Sequence, residues 1–229
     1  MARPRLSKLD TWSNHENRVT EVFGAALALL CKQRELPTRE ADLNRRLWFC
    51  IHQANRILHS RDRGLVCPPS FDAKNCPDAD DGERAAREDK RPDFSCGFYD
   101  HQEIDPNKSA KFFVIECKRL GAPYGTWILN RNYIRHGVQR FVKPESGYGK
   151  SVRSSAMIGY IQSMEPNDIL AEVNEEGSEN QLSTIKLSGR WRNGAVSQLE
   201  QTLTRLKISP ALFHLHHLWA DLRTQIASN

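Results

Sequence analysis

Lys111-Phe112-Phe113-Val114-Ile115-Glu116-Cys117-Lys118 is a short apolar run closed by an acid and an amine two positions apart. Aromatic and β-branched side chains in succession favour a strand covered on both faces. In a strand, side chains alternate between faces, so Glu116 and Lys118 share one face and Cys117 takes the other. Charges at the end of such a strand are costly unless they pair, hold a metal or border a cleft. That demand restricts the chain to folds in which this strand is central and its end opens onto something polar.

A second strand is predicted just upstream. Pro92 introduces Asp93-Phe94-Ser95-Cys96-Gly97-Phe98-Tyr99, where apolar and polar residues alternate, and the polar connection 100–110 makes the two strands an antiparallel hairpin. Asp93 then lies beside Glu116. Two adjacent carboxylates repel and call for a cation, and Mg²⁺ suits them because it takes oxygen ligands and needs only one or two carboxylates beside water and phosphate. Lys118 would orient or deprotonate a nucleophile there, which fits metal-assisted phosphodiester hydrolysis.

Helices surround this hairpin in the prediction. Ser13 and Glu16 read as a capping box ahead of Val19, Val22, Phe23, Ala26, Leu27 and Leu30. Thr38 can cap a second helix carrying Leu43, Leu47, Ile51, Ala54, Ile57 and Leu58. Residues 60–91 form a long polar loop, a candidate substrate-facing flap. A basic helix over 131–142, a core strand over 155–161, a helix starting at Pro166 and stopped by Gly177, and strands within 182–187 and 213–222 follow; 195–206 fits either a strand or a helix. We therefore expect one α/β domain over 1–229, with N-terminal helices 13–59, a catalytic core 92–161 and a C-terminal helix and strands 162–222.

With those residues in hand, the pattern Pro92-Asp93, then Glu116-Cys117-Lys118 behind an apolar strand, resembles the PD-(D/E)xK, or restriction-endonuclease-like, nuclease superfamily. The resemblance implies a mixed sheet flanked by helices. It implies Asp93 and Glu116 as ligands of Mg²⁺, with Mn²⁺ able to substitute, the Cys117 carbonyl as a third ligand, and Lys118 as the catalytic lysine. It also implies an acidic residue from a preceding helix, for which Glu16 is the choice and Glu21 the fallback. The helix after the strand would hold phosphates through Arg131, Arg135, His136, Gln139, Arg140 and Lys143. The implied activity is a DNA endonuclease in defence, restriction or repair, leaving 5′-phosphate and 3′-hydroxyl ends.

Competing signals are weaker. Asp72-Ala73-Lys74 and Glu88-Asp89-Lys90 repeat the acid-x-lysine spacing, but in the polar loop with no strand before them. Cys67, Cys76, Cys96 and His101 have no common zinc spacing, and His214 and His216 read as strand histidines on one face. No Gly-x-Ser-x-Gly elbow and no phosphate-binding glycine loop occurs. The net charge of +5 permits a polyanion on one face. The absence of a long apolar run and of a signal-peptide core gives a cytoplasmic expectation with no membrane partner. Expected partners are nucleic acid, DNA first, a second copy where both strands are cut, and an activating protein where the chain alone stays silent. The alternative is a noncatalytic nucleic-acid-binding or protein-interaction module in which Glu116 and Lys118 merely pair.

Overall fold

The computed structural model describes residues 11–74 and 90–226. Cys76, the acidic run at Asp78, Asp80 and Asp81, residues 83–87, and Glu88 and Asp89 of the second acid-x-lysine triplet lie outside them. Helices α1 (Trp12–Leu30) and α2 (Glu40–His59) come first, and the short strand β1 (Ser70–Phe71) follows. The hairpin is β2 (Phe94–Tyr99) and β3 (Ala110–Leu120). Then come α3 (Leu129–Arg135), a 3-10 turn (Val138–Phe141), β4 (Ser154–Ile161), α4 (Pro166–Glu179), β5 (Lys186–Leu187), β6 (Val196–Thr204) and β7 (Leu212–Asp221).

All seven strands form one mixed sheet in the order β1-β2-β3-β4-β7-β6-β5. β3, β4 and β7 run parallel in the middle, and the outer pairings are antiparallel. Two apolar layers cover the sheet. On one face Phe94, Phe113, Ile115, Cys117, Ile158, Tyr160, Leu218 and Ala220 pack against Val22, Phe23, Leu27, Leu47 and Ile51 of α1 and α2. On the other, Val114, Met157, Leu215 and Trp219 meet Tyr133, Ile134, Val138, Phe141, Ile169 and Val173. The α/β expectation therefore holds as a seven-stranded mixed sheet flanked by helices. Among the described residues, no helix is long and apolar enough to cross a membrane.

Several local expectations are corrected. Thr11, not Ser13, caps α1, its side chain accepting from Asn14 N at 3.2 Å, so Glu16 sits inside the helix and is free of any capping duty. Arg39 occupies the cap position of α2 without a side-chain bond, while the Thr38 carbonyl accepts from Gln162. Ile57 faces solvent rather than the core. The helix expected over 131–142 starts two residues earlier and breaks at Gly137. A Cβ there would lie 2.4 Å from the Tyr133 carbonyl and 2.5 Å from Met157 Cε, so only glycine lets the chain pass this close. The strand expected over 182–187 shrinks to two residues, and 196–204 is a strand with alternating burial. Part of the long loop adds β1 to the edge of β2.

Candidate active site at the β2–β3 junction

The register aligns Phe94 with Ile115. One step further, Asp93 enters β2 level with Glu116. Asp93 Oδ2 accepts from Cys117 N at 2.7 Å, taking the amide that β2 no longer pairs, and Oδ1 accepts from Asn44 Nδ2 at 2.8 Å. Tyr160 donates to Asn44 Oδ1 at 2.9 Å, fixing the amide that holds Asp93. Burial, and then the nearby Glu116 carboxylate, push the Asp93 carboxyl up to about 8.

Glu116 is 1% exposed. Its Oε1 lies 2.9 Å from Lys118 Nζ and 3.0 Å from Arg140 Nη1. Its Oε2 is buried and has no hydrogen-bond partner. Burial raises the Glu116 pKa, against the opposing pull of Lys118 and Arg140. A buried carboxyl oxygen without a hydrogen-bond partner is costly.

Lys118 Nζ also donates to Glu40 Oε1 at 2.8 Å and to the Cys117 carbonyl at 2.7 Å. Burial opposes its charge, but Glu116, Glu40 and Asp93 together outweigh it and raise the Lys118 pKa. The ammonium is therefore held protonated. Arg140 is braced by Tyr148, whose hydroxyl is 3.1 Å from Nη1. Tyr148 is placed in turn by Arg205, fully buried, which donates to the carbonyls of Tyr148 and Gly149 at 3.3 and 3.0 Å.

The predicted site residues divide clearly. Asp93, Glu116, Cys117, Lys118 and Arg140 come together. Glu16 does not. It lies on the opposite face of the sheet, its Oε1 2.6 Å from His216 Nε2, beside Ser154 at the start of β4. Its place near the lysine is taken by Glu40, from the first turn of α2, which sequence reading passed over. Glu40 opens α2 three residues after Pro37, and no local pattern ties it to a lysine 78 positions away.

Of the residues expected on phosphate, Arg131 and Arg135 both pair with Glu176 of α4, and Gln139 binds Asn180. These brace α3 against α4. Lys143 is exposed beyond the 3-10 turn. His136 and Arg140 do line a cleft of about 370 Å³, together with Lys118, Arg119, Glu40, Trp127, Leu129 and Asn132. Arg119 was missed. Lys118, Arg119 and Arg140 share this wall with Glu40, and Glu116 already pairs with Lys118 and Arg140 behind it.

The donor set suits a hard divalent ion: Glu116 Oε2 is buried without a partner, and each Asp93 oxygen accepts one hydrogen bond and keeps a second lone pair. Among the described residues, no three His, Cys, Asp or Glu side chains are grouped as ligands of one ion. No family model, no curated protein and no solved structure matches this chain.

Proposed function

We propose that the chain is a Mg²⁺-dependent nuclease on a restriction-endonuclease-like sheet, cutting DNA, with Asp93 and Glu116 holding the ion. The observation that carries this reading is the unpartnered Glu116 Oε2, buried beside Lys118 and Arg140, both of which line the basic cleft. The ion, when bound, supplies Lewis-acid stabilisation of charge on phosphate oxygens. Lys118 contributes a fixed positive charge. With three acids raising its pKa it is a poor proton abstractor, so of the two roles expected for it, orienting or deprotonating the nucleophile, its surroundings support the first, and its fixed charge adds stabilisation of an anion. Arg140, braced by Tyr148, offers its guanidinium to the same anion, Arg119 extends the cationic wall, and His136 adds a hydrogen-bonding ring beside it. The Cys117 carbonyl, the expected third ligand, is already engaged by Lys118.

A panel of plasmid, linear duplex, single-stranded DNA and RNA tests the reading. Cleavage is expected with Mg²⁺ or Mn²⁺, lost in EDTA, and lost in Lys118→Ala and Asp93→Asn proteins that still bind. All four substrates intact in both metals would remove the enzyme assignment. One observation favours the second reading, a noncatalytic nucleic-acid-binding module: Lys118 and Arg140 already neutralise Glu116 from within the chain. That module binds DNA, never cuts it, and gains no thermal stability from divalent ions.

A further inference from the structure

The loop between β3 and α3 carries a hairpin of minimal size. Tyr124 N donates to Trp127 O at 2.9 Å and Trp127 N to Tyr124 O at 3.0 Å, so only Gly125 and Thr126 make the turn. Gly125 takes a φ of 59°, which a two-residue hairpin of this kind requires of its first central residue. Residues directly opposed in an antiparallel pair carry their side chains on one face. Tyr124 and Trp127 therefore project together.

Both rings stay in water, 63% and 56% exposed. Trp127 forms part of the wall of the cleft that also holds Lys118, Arg119, His136 and Arg140. Scattered exposed apolar residues need no explanation. Two exposed aromatics on directly opposed residues, one of them in the wall of a basic cleft, call for one. Cations supply grip on phosphates, whereas a flat ring adds a face on which a base can stack. In a duplex the base faces are already stacked on each other, and only an unpaired or extruded base offers its face to a protein.

We infer that the Tyr124–Trp127 hairpin is a base-stacking platform and that the cleft takes single-stranded or locally unpaired nucleic acid, with Arg119 and His136 on the phosphates. This deepens the nucleic-acid reading above and rests on it, but it concerns binding and does not depend on cutting. Stacking on aromatic side chains accounts for sequence-tolerant grip on a strand, so the platform selects strandedness rather than sequence.

Binding in EDTA, where cleavage cannot interfere, tests it. The probes are end-labelled oligodeoxythymidylate, a strand of equal length with abasic sugars, and the thymidylate strand annealed to oligodeoxyadenylate. The wild-type chain should bind thymidylate more tightly than either of the others. Tyr124→Ala and Trp127→Ala should each weaken thymidylate binding by roughly 5- to 150-fold, and leave abasic binding unchanged. Both rings lie outside the core, so unchanged thermal unfolding certifies that the variants fold. Equal affinity for thymidylate and abasic strands, preference for the duplex, variants that bind like wild type, or no binding to any strand would each overturn the inference. Ring-dependent binding with no cleavage in Mg²⁺ or Mn²⁺ upholds the platform while removing the nuclease. Ring-independent binding with metal-dependent cleavage removes the platform while leaving the nuclease.

Discussion

The two faces of the central strands each carry an acid paired with a base, yet they are not equivalent. On the α1 face, Glu16 meets His216 at 2.6 Å, and the His214 ring packs edge-on against His216 with centroids 4.3 Å apart. On the α3 face, Glu116 meets Lys118 and Arg140 with one oxygen and leaves the other buried and unpartnered. The first group satisfies itself. The second has a residual demand and stands beside an open cationic cleft. His217 separates these two criteria, because its Nε2 is also buried without a partner, but the residue is fully buried, its Nδ1 is 2.8 Å from the Tyr133 hydroxyl, and it does not line the cleft beside Lys118. Each is a cost in stability, and only the one at Glu116 lies beside cations that line the cleft.

The largest effect that could break this contrast is at Lys118. Lys118→Ala leaves Glu116 buried with Arg140 alone, and removing one partner of a buried pair costs about 3–5 kcal/mol. Cleavage should fall by about 10²- to 10³-fold, the scale of losing one preorganised electrostatic stabiliser. Lys118→Arg keeps the charge, so urea unfolding should recover most of the stability while the cleavage rate stays low. Recovery of both would reduce Lys118 to a counter-ion and make the two faces alike.

His217 supplies the next effect. Burial holds its pKa down to about 3 in the folded chain, against 6.5 for an ordinary histidine. A base whose folded pKa is depressed contributes full stability above its unfolded value and loses it as acid charges the unfolded chain first. Unfolding free energy should therefore fall by about 1.4 kcal/mol per pH unit below 6.5, flattening as pH nears 3. Urea midpoints at a series of pH values check this, and His217→Gln should have a shallower slope over the same range. An unchanged slope would mean that Nε2 is not closed off from water.

How much of this was legible in the sequence follows the range of the interactions. The hairpin of β2 and β3, with Asp93 level with Glu116 and Lys118 on the same face as Glu116, was readable because alternation and a proline start are local. The helix stripes of α1 and α2 were readable for the same reason. Glu40 was not, since its partner Lys118 is 78 positions away and nothing in a first helical turn announces a distant lysine. Glu16 was misread because Ser13-x-x-Glu16 satisfies a capping pattern that Thr11 in fact fills. Arg131 and Arg135 looked like phosphate ligands because a basic helix face has the same appearance whether it meets nucleic acid or an acid such as Glu176 on a neighbouring helix.

A smaller effect tests how the site is positioned. A Cβ at residue 137 would stand 3.3 Å from Lys118 Cγ as well as against Tyr133 and Met157. Gly137→Ala should cost about 1–3 kcal/mol through overpacking. If the displaced neighbour is the Lys118 stem, kcat should fall while KM for the strand stays near its wild-type value. A variant that loses stability alone, with kcat intact, assigns Gly137 to the core.

Glu16→Gln is the smallest and the most pointed. Burial alone would raise the Glu16 carboxyl, but the hydrogen bonds to His216 and Ser154 and the charges of His216 and His214 together outweigh it and leave the pKa below its ordinary 4.5. The folded carboxyl binds its proton more weakly than the unfolded one, so the stabilisation is complete above about pH 4.5 and is lost as acid protonates the folded form. Glu16→Gln should therefore lower the unfolding free energy by about 1 kcal/mol at neutral pH, and the gap to wild type should close on acidification. Cleavage should stay within about twofold of wild type, since Glu16 faces away from the cleft and catalytic groups must reach the reacting atoms. A loss of activity comparable to that of Lys118→Ala, in a protein that still melts cooperatively, would show that the α1 face takes part in the chemistry.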